Sequence, residues 1–342
     1  MGRTKGEKAL QREEKRQVME RKRIIAEANK MLIPTPKQTA ESLGIMSFDP
    51  SGAFRLNGNR WVRVFEIELT QTKESDLFAE VIREIRGRAR ITAKIGGKGG
   101  NKYFLTLMEE GEIYGDVLKE MEIDINVLSK VFRLKPLNID ETMMEIMGDG
   151  RKPFSYASMV RGKKNWKSEC FPEIKAEAAK MIVGDSYGES LFVMQYPSHL
   201  SINPFSSLRS IGCLIYISLD IRGVSLKQSF TQAMEQRYNR RISAGKSDEF
   251  INASVSVFFS CDSDDARAII EKTLITMFSN CGFALAPVFG AQEKAAESVI
   301  SLGITDYNVM RNVDMDVAFF SFSGTQVPSS ALVINVPNTN LT

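Results

Sequence analysis

Apolar residues recur along this chain with two different periods, one typical of helices and the other typical of strands. Residues 7–30 are rich in helix-forming side chains and contain neither Gly nor Pro, which predicts a helix. Pro34 and Pro36 end this helix, because a residue that precedes proline favours extended backbone. A charged helical arm is therefore expected ahead of the folded part of the chain.

Residues 37–147 carry the pattern of a first α+β subdomain. Strand-like runs at 53–56 and 61–69 flank Asn57-Gly58-Asn59, and Asn-Gly between two such runs is a strong hairpin signal. Apolar and charged residues alternate along 61–69, which predicts a strand with one buried face. The segments that follow predict a helix at 74–86, two paired strands at 89–95 and 102–108, and a helix at 115–132. This β-α-β-β-α order is that of a ferredoxin-like unit.

The second half shows the same kind of alternation without visible repetition of the sequence. Strands are predicted at 190–196, 211–221, 251–261 and 283–289. Helices are predicted at 226–241, 264–280 and 292–300. Ser263 stands where it can cap the second of these helices.

A stretch rich in Gly, Pro and basic residues, 148–166, separates the two halves and is the best domain boundary. We therefore expect an α+β protein with two mixed or antiparallel sheet subdomains and helices packed on the sheets. The predicted division begins with a helical arm at 1–36 and a first subdomain at 37–147. An irregular linker at 148–186, a second subdomain at 187–325 and a C-terminal tail at 326–342 follow.

The composition is what we expect of a folded cytoplasmic protein. Apolar residues make up 43% and charged residues 25% of the 342 positions, enough for two domains with ordinary cores. The longest apolar runs are too short to span a membrane as a helix, and no secretory signal follows Met1. The four cysteines are far apart in the sequence, which favours reduced thiols over disulfides or zinc ligands: Cys170, Cys213, Cys261 and Cys281.

Positive charge is concentrated in the N-terminal arm, where residues 1–30 hold ten Lys or Arg and five Glu, although the formal net charge of the chain is only +3. The arm could meet anionic lipid, nucleic acid or an acidic partner. It also fits a simple solvated helix, because Glu is interleaved and the apolar stripe is thin. A second basic group surrounds the loop at 96–101. The candidate residues for contact with an anion, a lipid or a nucleic acid are Arg16, Arg21, Lys22, Arg23, Arg88, Lys94, Lys98 and Lys102.

Two stretches look like the phosphate-binding loop of nucleotide hydrolases, and neither has the required context. Gly97-Lys98-Gly99 lacks a following Ser or Thr and runs from strand to strand instead of into a helix. Ala244-Gly245-Lys246-Ser247 has Arg240 where the pattern requires Gly, and it follows a basic helix instead of a buried strand. We predict a hairpin tip for the first and a helix C-terminus for the second, and no nucleotide bound through either.

Other catalytic constellations are missing from the sequence. The only histidine, His199, has no Cys or carboxylate at the spacing of metal ligands. Asp262, Asp264 and Asp265 lie where a helix is predicted to begin, and negative charge there offsets the helix dipole without any ion. We therefore predict no catalytic residue, no metal and no cofactor, and a docking module in preference to an enzyme.

Five stretches of the sequence occur in an order that is more specific than any one of them. They include Trp61-Val62-Arg63-Val64-Phe65-Glu66-Ile67 and Ser190-Leu191-Phe192-Val193-Met194-Gln195-Tyr196-Pro197. They lie at 41–67, 91–106, 190–197, 281–298 and 319–322. Together they resemble the N-terminal region of the CagE/TrbE/VirB family of conjugation ATPases, particularly its Gram-positive mobile-element members. The resemblance covers most of positions 40–325.

In that family a RecA-like motor with a phosphate-binding loop follows this region. No counterpart of the family's ATP-binding Lys and acidic residues occurs here, so the resemblance implies no catalytic residue in this chain. It implies instead a docking domain on the cytoplasmic face of the inner membrane. Its partners would be membrane subunits of a secretion channel and an ATPase motor in the same or a separate chain, with self-association left open. The alternatives are a nucleic-acid-binding protein that uses the basic arm and hairpin, and, least favoured, an enzyme of unrecognised type.

Overall fold

A computed structural model of the chain describes residues 5–34, 43–68, 84–85, 87–97, 100–147, 173–197, 208, 211–222, 250–305, 307 and 311–314. The helices in these ranges are α1 (Lys5–Ala28), α2 (Tyr114–Leu128), α3 (Ile139–Met147), α4 (Asp264–Asn280) and α5 (Gln292–Ile300). The strands of the first half are β1 (Ile33–Pro34), β2 (Ile45–Phe48), β3 (Ala53–Leu56), β4 (Arg60–Glu68), β5 (Arg88–Gly97), β6 (Gly100–Glu110) and β7 (Arg133–Pro136). Those of the second half are β8 (Ile174–Ala176), β9 (Met181–Val183), β10 (Ser186–Gln195), β11 (Leu214–Arg222), β12 (Phe250–Cys261), β13 (Ala284–Pro287) and β14 (Arg311–Asp314).

The first half has the strand order of a ferredoxin-like unit, β7-β4-β6-β5, with every neighbouring pair antiparallel. The predicted helix at 115–132 forms as α2 after β6, and it leads into β7, a strand that the sequence pattern does not predict. The predicted Asn-Gly hairpin also forms, and Gly58 takes the left-handed φ of 75° that the turn requires. The helix predicted at 74–86 lies outside the described residues apart from its last positions.

The second half repeats this topology although its sequence does not repeat. Its order is β13-β10-β12-β11, again antiparallel throughout, with α4 between β12 and β13. In each half a short hairpin pairs with the start of the first strand, β2–β3 on β4 and β8–β9 on β10. In each half a nine-residue helix follows the last strand, α3 or α5. The chain therefore contains two copies of one unit, here called repeat one (43–147) and repeat two (173–300).

The two repeats share one continuous sheet. The strands β5 and β11 pair antiparallel from Ile95 opposite Ile215 to Arg88 opposite Arg222. The predicted α+β class is confirmed, while the two expected sheets are joined edge to edge. The linker predicted as irregular over 148–186 contains β8 and β9, which corrects that prediction. These strands are too short to show alternation, and they form because they extend the edge of β10.

Both faces of the sheet are covered. On one face Trp61, Phe65 and Ile67 pack with residues of α2 and α4 in one core. On the other face Val62 and Val64 pack with residues of α3 and α5 in a second core. The prediction of a half-buried strand at 61–69 is therefore wrong. A two-residue period shows that one face is apolar, but it does not show whether a second layer covers the other face.

A glycine in the turn before β3 allows a close backbone contact that can be tested. Gly52 has a φ of +105°, and a Cβ on it would collide with the carbonyl oxygen of Leu137. Gly58 has a similar φ of +75°, and a Cβ on it would meet nothing within 4 Å. We expect Gly52→Ala to lower the free energy of unfolding by about 2–3 kcal/mol, from backbone strain and the collision together. Gly58→Ala should cost only about 1 kcal/mol. Urea unfolding measures both, and equal losses would show that the contact with Leu137 is unimportant.

Candidate docking surface

The basic residues around the β5–β6 hairpin are directed into the protein where the structure describes them. The side chain of Lys94 is buried, with its Nζ 5.9 Å from the ring centre of Tyr216. Arg88 donates to Asp220 over 2.7 Å, and Lys102 forms an ion pair with Glu145 of α3. This corrects the expectation of a solvent-facing basic rim. The rim is lost because β5 is an inner strand of the sheet, with β11 along its edge and a second core over its face. Lys98 lies outside the described residues.

A buried ion pair joins the two repeats at the β5–β11 contact. Arg90, with a side chain only 1% exposed, donates from Nε to Asp220 over 3.0 Å. Its Nη1 donates over 2.6 Å to the carbonyl oxygen of Ser298, in the last turn of α5. A cation is favoured there because the carbonyl end of a helix is negative. Beside the pair, the hydroxyl groups of Thr92 and Ser218 lie 3.1 Å apart. These groups hold the sheet and α5 together, so they are structural and not exposed for binding.

The four candidate residues of α1 are exposed. Arg16 and Lys22 face solvent, Arg21 forms an ion pair with Glu112 over 2.8 Å, and Arg23 pairs with Glu20 within the helix. Apolar side chains are exposed on the same helix, including Met19, which is 66% accessible. A helix of 24 residues is about 36 Å long, so α1 offers an extended surface of mixed charge.

One residue in the turn after α1 fixes the helix to the corner between β6 and α2. The side-chain amide of Asn29 donates to the carbonyl of Glu112 over 2.8 Å and accepts from the N–H of Tyr114 over 2.9 Å. Trp61 holds the same corner, because its indole N–H donates to the carbonyl of Gly111 over 2.8 Å and its ring stacks on Tyr114. No sequence pattern signals this role of Asn29. Its two hydrogen bonds attach this end of α1 to the corner.

Between α1 and this corner lies a groove of about 830 Å³, here called the α1 groove. Its apolar part is formed by Ile24 and Ile25 of α1 and by Ile113 and Val117 at the start of α2. Two arginines contribute to it, Arg16 and Arg21. Seven carboxylates line it: Glu13, Glu20, Glu109, Glu110, Glu112, Asp116 and Glu120. The lining of the groove is therefore partly apolar and mainly acidic, although α1 itself is basic.

One of these carboxylates is strongly perturbed. Burial beneath α2, with the negative charges of Asp124 and Glu120 nearby, raises the pKa of Glu109 to about 7. The carboxylate lies against Gly87, where a side chain would collide with it. At neutral pH Glu109 is thus divided between its protonated and ionised forms, and a nearby cation would favour the ionised form.

Repeat two also contains a buried carboxylate, but there the protein supplies the cation. Glu189 is fully buried, and Arg267 of α4 donates to it over 2.6 Å. The same guanidinium contacts Asp264 at 2.6 Å and Glu271 at 3.0 Å. Burial and Glu271 raise the pKa of Glu189 to about 7, opposed by Arg267. Of the acidic group at 262–265, Asp264 belongs to this network, and its pKa is held low by hydrogen bonds from Arg267 and Lys180.

The other features predicted from the sequence compare with the structure in this way. Ser263 caps α4 as predicted, accepting from the N–H of Ala266 over 3.2 Å. The loop after Gly97 joins two antiparallel strands, which confirms its predicted strand-to-strand context. His199 and the segment 244–247 lie outside the described residues. Within the described ranges no group of three or more His, Cys, Asp or Glu is arranged to hold a metal, and no helix is both long and apolar enough to cross a membrane.

Comparisons with known proteins leave the family open. No protein-family model matches the sequence, and no curated protein matches it. Among solved structures, the chain is similar to GilR in complex with pregilvocarcin, an oxidoreductase that catalyses the terminal step of gilvocarcin biosynthesis. The identity is 10% and the TM-score 0.33, over 69% of this chain and 46% of that chain. This chain thus spans less than half of that protein, and so weak a likeness supports no inference about function.

Proposed function

We propose that this chain is a non-catalytic docking and assembly domain of a type IV secretion ATPase, which connects the motor to the inner-membrane channel from the cytoplasmic side. The observation that carries the proposal is the surface formed by α1 and its groove, which combines exposed apolar residues with surrounding charges. Protein interfaces have this composition, with an apolar centre and a polar rim. The ordered resemblance to the N-terminal region of conjugation ATPases suggests which partners the surface serves.

The two repeats fit the role of a rigid platform in this proposal. Because β5 and β11 join them in one sheet, a force applied to one repeat is transmitted to the other through backbone hydrogen bonds. Arg90 ties α5 to the same junction. A partner bound at α1 could in this way be held at a fixed position relative to a motor that follows the second repeat.

The proposal is tested by co-purification and by ATP turnover. The full chain, tagged and expressed with the membrane subunits of its own transfer cluster, should purify from detergent-solubilised membranes together with at least one of them. The purified chain alone should hydrolyse ATP at the rate of the buffer control. Robust hydrolysis by the chain, or recovery without any membrane subunit, would contradict the proposal.

The nucleic-acid alternative makes a different prediction. Since Arg88 and Lys94 are directed inward, it depends on the exposed basic residues of α1 and on Lys98. Binding to DNA through several of these residues would weaken steeply with salt, because each phosphate contact releases counterions. A salt-sensitive mobility shift without recovery of membrane subunits would favour this alternative.

A further inference from the structure

Each repeat has a carboxylate beneath the helix that follows its third core strand, but the two carboxylates lie on different strands, Glu189 on β10 and Glu109 on β6. In repeat two, the fourth residue of α4 is Arg267, and it neutralises Glu189. In repeat one, the fourth residue of α2 is Val117, which provides no charge. Glu109 lies beneath α2 and is surrounded by like charges from Asp124, Glu120 and Glu110. The two positions are therefore not equivalent: Arg267 neutralises its carboxylate from within the chain, whereas the fourth residue of α2 is apolar.

The α1 groove opens beside Glu109. Glu109 and Val117 both line it, so a side chain that enters the groove reaches the carboxylate from outside. The helix α1 already shows the principle, because Arg21 reaches across to Glu112 on the opposite wall. Seven carboxylates and two guanidinium groups line the groove, so its lining is negative, although Glu20 and Asp116 also have cationic partners outside it, Arg23 and Lys119.

We propose that the α1 groove binds a Lys/Arg-rich amphipathic helix from the cytoplasmic flank of a membrane subunit, with one cationic side chain directed at Glu109 as Arg267 is directed at Glu189. This inference rests on the proposed function and adds the site and the chemistry of the partner. Cytoplasmic segments next to membrane spans carry an excess of Lys and Arg, which complements the acidic walls. The apolar face of such a helix would pack on Ile24, Ile113 and Val117. Anionic lipid and nucleic acid have the wrong charge for this groove.

Titration calorimetry with the full chain and a synthetic probe tests the proposal. The probe is a 15-residue helical peptide with Leu on one face and Lys and Arg on the other, and its control carries Glu in place of every Lys and Arg. We expect the cationic peptide to bind with micromolar affinity at low salt and the acidic peptide not to bind. Glu120→Lys should weaken binding at least tenfold, because it places a cation at the groove wall. Glu122→Lys is the matched control, with the same change on the same helix at an exposed position outside the groove, and should retain binding to within about twofold.

Proton release gives a second readout that a general attraction between charges would not produce. An incoming cation near Glu109 lowers its pKa from about 7, so binding at pH 7 should release part of a proton. Calorimetry in two buffers with different ionisation enthalpies measures this release. Glu109→Gln should abolish the release and weaken binding. The other titratable groups facing Glu109 are Asp124, Glu120 and Glu110.

The outcomes separate this inference from the proposed function. Absence of binding, or equal losses in Glu120→Lys and Glu122→Lys, would overturn the inference. If Glu120→Lys recovered membrane subunits as well as the unaltered chain does, the inference would also be overturned, but the proposed function would stand. Failure of the unaltered chain to recover any membrane subunit would remove the proposed function, whatever the peptide does. Sedimentation of the chain alone is the last check: a dimer that Glu120→Lys dissociates would identify a second copy of the basic α1 as the occupant and overturn the partner proposed here.

Discussion

Asp220→Ala should lower the free energy of unfolding by about 3–5 kcal/mol, because it leaves buried positive charge without its partner. Asp220 is fully buried and accepts from both Arg88 and Arg90. Arg90 has almost no access to water, so solvent cannot replace the lost carboxylate. The loss falls at the β5–β11 contact, where the two repeats meet, and it should therefore loosen the whole sheet and not one repeat.

Denaturant unfolding of the full chain measures this effect, with the exposed pair between Arg133 and Glu68 as the control. That pair joins neighbouring strands at 3.1 Å, but its side chains are 75% and 51% exposed. Glu68→Ala should cost less than about 1 kcal/mol, since surface ion pairs contribute little. Asp220→Asn keeps a hydrogen-bond acceptor and should fall between the two. Similar losses for Asp220→Ala and Glu68→Ala would show that the junction does not depend on the buried pair.

Arg267→Met should cost about 3 kcal/mol at pH 8 and clearly less at pH 5. The substitution leaves Glu189 buried beside Glu271 without its guanidinium partner. Burial already raises the pKa of Glu189 from 4.5 to about 7, so the folded state binds this proton more readily than the unfolded state. The penalty for a buried, ionised Glu189 is thus small below about pH 4.5 and grows as the pH rises through 7. Removing Arg267 increases this penalty, and protonation of Glu189 relieves it.

Unfolding curves at the two pH values measure the difference, and Lys180→Met is the control. Lys180 contacts Asp264 at 2.7 Å at the exposed edge of the same network, and its loss should cost less than about 1 kcal/mol. A loss for Arg267→Met that is the same at pH 5 and pH 8 would show that Glu189 is not the group that Arg267 stabilises.

The sequence predicted most elements of the described fold because their signals are local. The hairpin at Asn57-Gly58 follows from the left-handed backbone that Gly allows, and the cap of α4 follows from the hydroxyl of Ser263. The exposed basic residues of α1 follow from its composition and its lack of a broad apolar stripe. The strand-like segments on both sides of Gly97-Lys98-Gly99 also correctly predicted that this stretch connects two strands.

The candidate site was less predictable, because it is formed by residues far apart in the chain. The α1 groove joins residues near position 20 to others near 110, and the contacts between them include the amide of Asn29 and the ion pair of Arg21 with Glu112. The prediction of a basic hairpin rim treated Arg88 and Lys94 as surface residues. Alternation alone cannot distinguish a charged face turned to solvent from one covered by a second layer, and the burial of Lys94 shows the second case.

By itself, then, the sequence determined the α+β class, the charged first helix and, in repeat one, the strands β4, β5 and β6 and the helix α2, since turns, caps and periodicity are encoded within a few residues. Tertiary structure alone decided the repetition of that topology in the second half, because strand pairing there joins residues far apart in the chain, such as Leu191 and Pro287, and leaves no sequence repeat. It also decided the join at β5 and β11 and the different environments of Glu109 and Glu189. Whether a buried carboxylate meets Arg267 or an open groove depends on which side chains the fold brings together.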